Sequence, residues 1–379
     1  MINNLVSITG SDGNIGSFIS DRLLRLGYKI NKIEYSKINY DTLNTLNSDK
    51  LDNIISKILL NSKFLIHCAW KNFNTLDFNI KILENSFDLK LIKSILRVSK
   101  KKKIRIIFIS SEYANSHLEG KESDYGFLKL NAEKLLLSYQ YVKILRMSTF
   151  LNKNSRIHKF IMNSLNNDSK VELDNKSYFK PISEPTLLSG ILELLNEKKF
   201  NRGIYNLSDK EKITRYQLYK IYQSHYVRDN KIKVIKKSFG FKNSLLKNSQ
   251  IFKNIKLISL KQIVNSLFIE EAECKVLYSD KNSNLINLIN SKSIFEINLS
   301  SAKAKVKKGG HYHSNINEYF YIFQGSIKVL IDNKNSKINY IVNNGDFFII
   351  NKMQKHSFLI LKDAKWMSFN VLSNIDFLK

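Results

Sequence analysis

The sequence predicts two domains of different class: an α/β domain built on a doubly wound parallel sheet, then an all-β domain. Three observations carry this expectation. Gly10, Gly13 and Gly16 lie between a short apolar run and a segment of helical spacing. Apolar strands then alternate with amphipathic helices, the pattern of a parallel sheet with helical crossovers. From Val276 the character changes to short strands separated by turn residues, as in a small sandwich or barrel. At 379 residues the chain is also too long for one ordinary core.

The elements follow in order. Leu5 to Ile8 reads as the first strand, and Phe18 to Leu26 as a helix stopped by Gly27. Lys29 to Ile33 is a second strand ending at Glu34. Strand, glycine turn, helix, strand and acid is the order a dinucleotide-binding unit requires. Phe64 to Ala69 and Ile104 to Ile109 are buried strands, with a helix through Ile80 to Val98 between them. Tyr125 to Ser138 is a helix and Val142 to Leu145 a strand. The pattern is then mixed, with helices at Thr186 to Leu195 and Arg215 to Ile221, and residues 151–235 are expected to form a small substrate lobe. Leu245 to Leu267 reads as helical, and the domain boundary is placed between Glu270 and Glu273. The expected domains are thus 1–270 and 276–379. In the second, Glu318 to Asp332 holds two strand-like runs around Gln324-Gly325-Ser326. Ile338 to Val342, Phe347 to Ile350, Phe358 to Leu361 and Trp366 to Val371 are further strands.

Composition narrows the function. The formal charge is +28, but lysine is spread along the whole chain and glycine and proline are scarce, at 13 and 2. Base readers use arginine forks, and strand-stacking proteins interleave aromatics with basic residues on one face. Neither pattern is present, so nucleic acid is not an expected partner. The run Lys100 to Lys103 follows an apolar-periodic segment, where a helix C-terminus favours positive charge. The basic field can instead draw in an anionic substrate such as a nucleotide diphosphate. No apolar run reaches the roughly 18 residues of a membrane span, and no secretory leader is evident. With only Cys68 and Cys274 there is no disulfide framework, so a reduced, cytoplasmic protein is expected.

Two sites stand out. The turn Thr9, Gly10, Gly13, Asn14, Ile15 and Gly16 is the candidate cofactor loop. Its glycines allow the tight turn, close backbone approach to a pyrophosphate, and helix–strand packing, with the phosphates at a helix N-terminus. Glu34 suits the adenosine ribose of NAD, whereas Lys37 can meet the 2′-phosphate of NADP, so both cofactors stay open. Tyr125 and Lys129 are four apart at the start of a helix and share a face. A nearby ammonium lowers a phenol's pKa, which makes Tyr125 a usable acid–base group. Both also count as cofactor contacts. Ser111 ends a strand beside Ser110, where its hydroxyl can orient a carbonyl. His67, at another strand end, reads as a satisfied core histidine.

The second site is a ligand set. His311 and His313 alternate on a strand and so face one side. Glu318 follows a short turn, and His356 comes from a later strand. Three imidazoles and a carboxylate suit a divalent metal, Zn²⁺ first, with Fe²⁺, Mn²⁺ and Ni²⁺ as other choices.

The glycine signature, His67-Cys-Ala-Trp70, Asn85, Ser110-Ser111, Tyr125-x-x-x-Lys129 and Gly203-Ile-Tyr-Asn206 together resemble the extended short-chain dehydrogenase/reductases, the NAD-dependent epimerase/dehydratase family, over residues 1–270. That resemblance implies a Rossmann-type domain acting on a nucleotide sugar, Ser111, Tyr125 and Lys129 as the catalytic triad, and Ala69 against NAD(P). Trp70 departs from the family, which has a small residue there. Gly309-Gly-His311-x-His313-x-x-x-x-Glu318 and Gly345-Asp346 through His356 resemble a cupin, a jelly-roll fold, over residues 276–379. Asn351 and Met353 stand where that family usually has proline and glycine, which puts the local turn in question. The domain order, the length and the segment Lys308 to Phe320 resemble bifunctional capsular-polysaccharide enzymes of the UDP-N-acetyl-L-fucosamine pathway. In those enzymes the cupin epimerises a carbon next to a 4-keto group and the reductase reduces the ketone. The implied chemistry needs NAD(P)H, a metal and a base, for which Tyr312, Tyr319 and Tyr321 are candidates. Cupins often pair through their sheets, which implies a homodimer. Two other readings remain: an epimerase or dehydratase whose cupin only binds sugar or dimerises, and a non-enzymatic sensor of NAD redox state and metal.

Overall fold

The computed structural model describes residues 5–34, 45–70, 86–114, 124–166, 171–196, 200–225, 234–237, 247–269, 275–279, 284–287, 294–333 and 336–372. Asn85, Lys37 and the boundary at 270–273 lie outside them. In chain order the elements are β1 (Leu5–Thr9), α1 (Asn14–Arg25), β2 (Lys29–Ile33), α2 (Ser48–Ile58), β3 (Phe64–His67), α3 (Phe87–Lys102), β4 (Arg105–Ser111), α4 (Asp124–Leu136) and β5 (Val142–Met147). Then come α5 (Arg156–Asn166), β6 (Val171–Asp174), β7 (Tyr178–Phe179), α6 (Glu184–Leu195), β8 (Gly203–Leu207), β9 (Ile213–Thr214), α7 (Arg215–His225), β10 (Val234–Lys237) and α8 (Leu260–Phe268). The β-rich remainder is β11 (Lys275–Ser279), β12 (Asn284–Asn287), β13 (Ile294–Ala302), β14 (Lys307–His311), β15 (Ile316–Asn333), β16 (Ser336–Asn343), β17 (Phe347–Ile350) and β18 (Lys355–Leu372).

These residues form two compact units. The first comprises Met1–Ser155, Asn175–Thr214 and Ser238–Leu260, and the second Arg156–Asp174, Arg215–Lys237 and Lys261–Lys379. The segments expected to form a lobe of the first domain are therefore shared between the units.

The first unit is built on a six-stranded sheet in the order β2-β1-β3-β4-β5-β8. Its pairings are all parallel. Successive strand residues face opposite sides, and each side is covered. Leu65, Ile106, Phe108 and Ile144 pack with Leu51, Ile55, Ile92 and Ile95 of α2 and α3. Val6, Ile8, Ile107 and Leu145 pack with Ile19, Leu23, Leu187 and Ile191 of α1 and α6. This is the doubly wound Rossmann-type architecture the sequence predicts. Local signals set the helix ends: Ser86 Oγ caps α3 by accepting from the Leu89 amide. Lys100 to Lys102 occupy the last turn of α3, and Lys103 ends it at φ 55°.

The differences are local. α3 begins at Phe87 and runs to Lys102, not to Val98. β3 ends at His67, two residues before Ala69. The helix expected over Leu245 to Leu267 reduces to α8, preceded by a single 3-10 turn at Gln250–Phe252. Phe252 in that turn, together with Ile251 and Ile255, packs onto the core of the first unit. Apolar spacing here therefore records docking of an irregular segment.

In the second unit six strands form an antiparallel sheet in the order β13-β18-β15-β16, with β14 also on β18 and β17 also on β15, while β6 pairs with β10 in parallel and β11 with β12. The arrangement is consistent with a jelly-roll. β15 and β18 are single 18-residue strands where two shorter runs each were expected. They bend without breaking, through register shifts between Ile322 and Ile327. Gly325 sits at that bend with φ 91°, and a Cβ there would lie 2.3 Å from the Asp363 carbonyl oxygen. The crossing of the two strands therefore requires glycine. On the same unit Asn265 of α8 donates to the Ile341 carbonyl (2.6 Å) and accepts from the Ile341 amide (2.7 Å), so its amide group extends edge strand β16. His225 Nδ1 donates to the Asn339 carbonyl (2.7 Å), and Asn339 Nδ2 returns a bond to the His225 carbonyl (3.0 Å).

Candidate functional site

The first candidate site lies at the carboxyl ends of β1, β3 and β4, where the strand order reverses direction about β1. Gly10 adopts φ 65°, and a Cβ on it would stand 2.9 Å from the Ala69 backbone. A Cβ on Gly16 would lie 2.1 Å from the Gly10 carbonyl oxygen. Two of the three glycines are thus enforced by close approach, and the third leads into α1. Asn14 begins α1, and Asn14 Oδ1 and Ser11 Oγ are buried with no hydrogen-bond partner among the described residues. The Ser11 hydroxyl, an unmet donor on a turn at a helix N-terminus, fits a phosphate-bearing cofactor, whereas the Asn14 oxygen can only accept, as from a hydroxyl. Beside the turn lies an apolar cleft lined by Thr9, Gly10, Ile33, Ile55, Leu65 and Ala69, among others. Ile15 lies in the first turn of α1, and Glu34 directly follows β2. Thr9 Oγ1 is engaged within the core by His67 Nδ1 at 2.7 Å. His67 is the satisfied strand-end histidine expected: burial drives its pKa down to about 3.

Ser111, Tyr125 and Lys129 come together. The Ser111 hydroxyl is hydrogen-bonded to the Tyr125 phenol. Lys129 is one turn along α4, 3% exposed, and its Nζ donates to the Ile109 carbonyl at 2.8 Å. The phenol does not follow expectation. Burial pushes Tyr125 up to about 12, with the Ser111 hydroxyl pulling the other way and Tyr113 and Asp88 adding to the rise. Sharing a helix face put Lys129 near the phenol, but its ammonium donates to the Ile109 carbonyl and lies 5.7 Å from the phenol ring centroid. Burial also lowers Lys129 to about 7, against the pull of Asp88, Cys68 and Glu133. Tyr125 is therefore firmly protonated at neutral pH, a proton donor by state.

Sequence reasoning missed the network that fixes α4 against the strands. Arg146 of β5 donates to Glu133 of α4 at 2.6 Å, and Ser110 Oγ donates to the same carboxylate at 2.5 Å. Both charged side chains are buried. Such a pair is weak evidence for stability, but removing one partner would leave the other charge buried and uncompensated. Its signal was legible: Glu133 follows Lys129 by one turn.

The second candidate site lies in the β-rich unit. Ligand atoms of His311, Glu318 and His356 lie within 4.8 Å of one another. Glu318 Oε2 is 3.2 Å from His356 Nε2 and 3.4 Å from His313 Nε2. The ring centroids of His311 and His313 are 5.0 Å apart, and those of His311 and His356 are 4.9 Å apart. All four predicted residues therefore converge. One detail is corrected: β14 ends at His311, so His313 reaches the cluster from beyond the strand, not by alternation along it. Glu318 Oε2 is buried and has no hydrogen-bond partner among the described residues. An orphaned carboxylate oxygen facing imidazole nitrogens fits a divalent cation. Burial drives His356 down to about 4, with the Gln354 carbonyl opposing and the neighbouring histidines assisting. It is neutral at pH 7, as a ligand must be. Its Nδ1 donates to Gln354 O at 3.1 Å, which leaves Nε2 directed at the cluster. The Met353 amide donates to the His313 carbonyl at 2.7 Å, so one turn supports two of the ligands.

Of the candidate bases, Tyr319 and Tyr321 alternate with Glu318 along β15 and so lie on its opposite face, ringed by Phe347 and Phe323. Tyr312, between His311 and His313, is 55% exposed.

Residues 6–173 match the family model described as the NAD dependent epimerase/dehydratase family. No curated protein matches the chain in sequence. Among solved structures, dTDP-4-dehydrorhamnose reductase from Bacillus anthracis in complex with NADP is 16% identical, with a TM-score of 0.56, covering 71% of this chain and 98% of its own. The Bordetella bronchiseptica enzyme WbmH in complex with NAD+ is 15% identical, with a TM-score of 0.57, covering 70% and 98%. At these identities the likeness is one of fold. The capsular polysaccharide assembling protein CapF from Staphylococcus aureus is 15% identical and covers 98% of this chain and 97% of its own, with a TM-score of 0.41. The family match thus begins in the first unit and extends into Arg156–Asp174 of the second. No described helix is long and apolar enough to cross a membrane.

Proposed function

We propose that the chain is a bifunctional nucleotide-sugar enzyme of surface-polysaccharide synthesis, which epimerises a 4-keto sugar in the β-rich unit and reduces the ketone in the α/β unit. The observation that carries the reading is the presence of two assembled sites in one polypeptide: Ser111, Tyr125 and Lys129 near a crowded glycine turn, and four metal-type donors around an orphaned carboxylate. Residues Gly10, Gly13, Asn14 and Gly16 would hold the cofactor phosphates, with Glu34 and Ala69 along its length. A bound nicotinamide supplies the hydride. Tyr125, protonated at neutral pH, gives its phenolic proton to the carbonyl oxygen, and the Ser111 hydroxyl orients that oxygen. His311, His313, Glu318 and His356 would hold a divalent ion, whose charge acidifies the C–H next to a ketone. Joining both steps in one chain raises the effective concentration of a labile keto sugar for its reduction. The setting would be the cytoplasm. Ile297 and Leu299 on β13, 58% and 75% exposed, offer a homodimer an apolar surface.

The test uses full-length protein, a 4-keto nucleotide sugar and NADPH in heavy water. Deuterium at a carbon next to the ketone together with cofactor oxidation is the expected result. Tyr125→Phe should cut reduction by at least about a thousandfold while leaving exchange. His313→Ala should remove metal, measured by elemental analysis, and with it the exchange. Loss of both activities in each variant would defeat the division of labour. Reduction without exchange would assign the β-rich unit to sugar binding alone, and absence of turnover with every keto sugar would favour a sensor.

A further inference from the structure

Trp70 lies three residues past the end of β3, and its indole covers Lys129. The Lys129 Nζ lies 3.8 Å from the Trp70 ring centroid and 4.7 Å from that of Phe108. The two rings meet at 51° with centroids 5.8 Å apart, forming two walls of a cage. The ammonium has three donors, and the Ile109 carbonyl takes one. Its other neighbours in the cage are π faces, whose negative quadrupole attracts a cation, most strongly from an indole. Trp70 Nε1 is itself buried with no hydrogen-bond partner among the described residues, so ring contacts and not a bond of its own seat the indole. The charged and titratable groups whose fields reach Lys129 are Asp88 from α3, Glu133 from α4 and Cys68 at the end of β3. Lys129 in turn acts on His67.

We propose that Trp70 is a positioning residue: its indole face holds the Lys129 ammonium in register with Tyr125 and the glycine turn. The inference rests on reading the first site as a reductase centre, and it acts through Lys129 and not on substrate. Burial alone strips the proton from Lys129 near neutral pH, and an aromatic face opposes that loss by stabilising the cation. Fluorine withdraws electron density from the indole face without changing its shape much, so it weakens this attraction in steps.

The experiment places 5-fluoro-, 5,7-difluoro- and 5,6,7-trifluorotryptophan at position 70 of the full chain, beside Trp70→Phe and Trp70→Leu. The first readout needs neither cofactor nor sugar: the pKa of Lys129 from the pH dependence of its side-chain resonances in protein made with 13C-labelled lysine, assigned by comparison with Lys129→Arg. The second is NADPH oxidation, with kcat separated from the KM for NADPH. The expected result is a Lys129 pKa that falls with each fluorine, and kcat/KM that falls in parallel, roughly tenfold across the series. Trp70→Phe should lie within that range and Trp70→Leu at its end, with thermal unfolding unchanged in the fluorinated proteins. A Lys129 pKa indifferent to fluorine, alongside activity lost only in Trp70→Leu, overturns the proposal and leaves Trp70 as packing. A stepwise Lys129 response with no turnover in any protein, the unsubstituted one included, supports the cage and overturns the reductase reading instead.

Discussion

Glu112 directly follows Ser111, yet its side chain is turned inward: it is 6% exposed, and its Oε1 accepts from Ser148 Oγ at 2.7 Å. Burial pushes its pKa from 4.5 up to about 7, with the Ser148 hydroxyl opposing. The folded chain therefore retains a proton that the unfolded chain has released between those values, and stability falls as pH rises through that window. Glu112→Gln removes the titration. Its gain in urea unfolding free energy over the natural protein should be larger at pH 8 than at pH 5, by on the order of 2–3 kcal/mol. Equal gains at both pH values would show that the carboxyl is not held this way. At this scale the sequence revealed which residues assemble but not their protonation. Spacing placed Tyr125 and Lys129 on one face of a helix, and the glycine turn and four metal-type donors were legible as residue types. Neither the burial of Glu112 nor the direction taken by Lys129 Nζ is encoded in spacing, because both depend on what other elements bring alongside. Trp70 was visible only as a departure.

Among the elements, the turn between β17 and β18 shows how a departure from pattern is absorbed. Met353 stands where the cupin resemblance implies a glycine, and the turn holds it at φ 66°. A left-handed conformation costs an L-residue about 1–2 kcal/mol, and glycine returns part of that through its freer unfolded chain. Met353→Gly should therefore raise stability by roughly 0.5–1 kcal/mol, read as a higher midpoint in thermal unfolding. The amide that binds the His313 carbonyl is kept, so metal content should not change. Lower stability in this variant would mean that the half-exposed methionine side chain makes a contact worth more than the strain. Strands with clear alternation were readable, whereas α2 and α5 went unread. The bends of β15 and β18 were taken for breaks, because Gln324-Gly325-Ser326 has the composition of a turn while the chain uses Gly325 for a close crossing.

For the whole molecule, the two classes of architecture were legible from periodicity, but their partition was not. The second unit gathers α5, β6, α7 and β10 with the C-terminal strands. The contacts of Asn265 and Asn339 with edge strand β16 and with α7 show part of the reason. A chain ending at residue 269 should then keep the six-stranded sheet while exposing Arg156–Asp174 and Arg215–Lys237. Limited proteolysis with mass spectrometry should find the first cuts there, at rates at least about tenfold above the full chain. Equal protection of those segments in both proteins would show that they fold without the strands. The interleaving also bears on biosynthesis. On a ribosome adding about 5–20 residues per second, Arg156–Asp174 leaves the tunnel on the order of ten seconds or more before the last strand of its unit exists. In this interval β6 can pair with β10 and His158 of α5 can reach Tyr222 of α7, but the unit they belong to stays incomplete, and a premature stop anywhere in the final strands releases a product whose middle, not only its end, is unfinished.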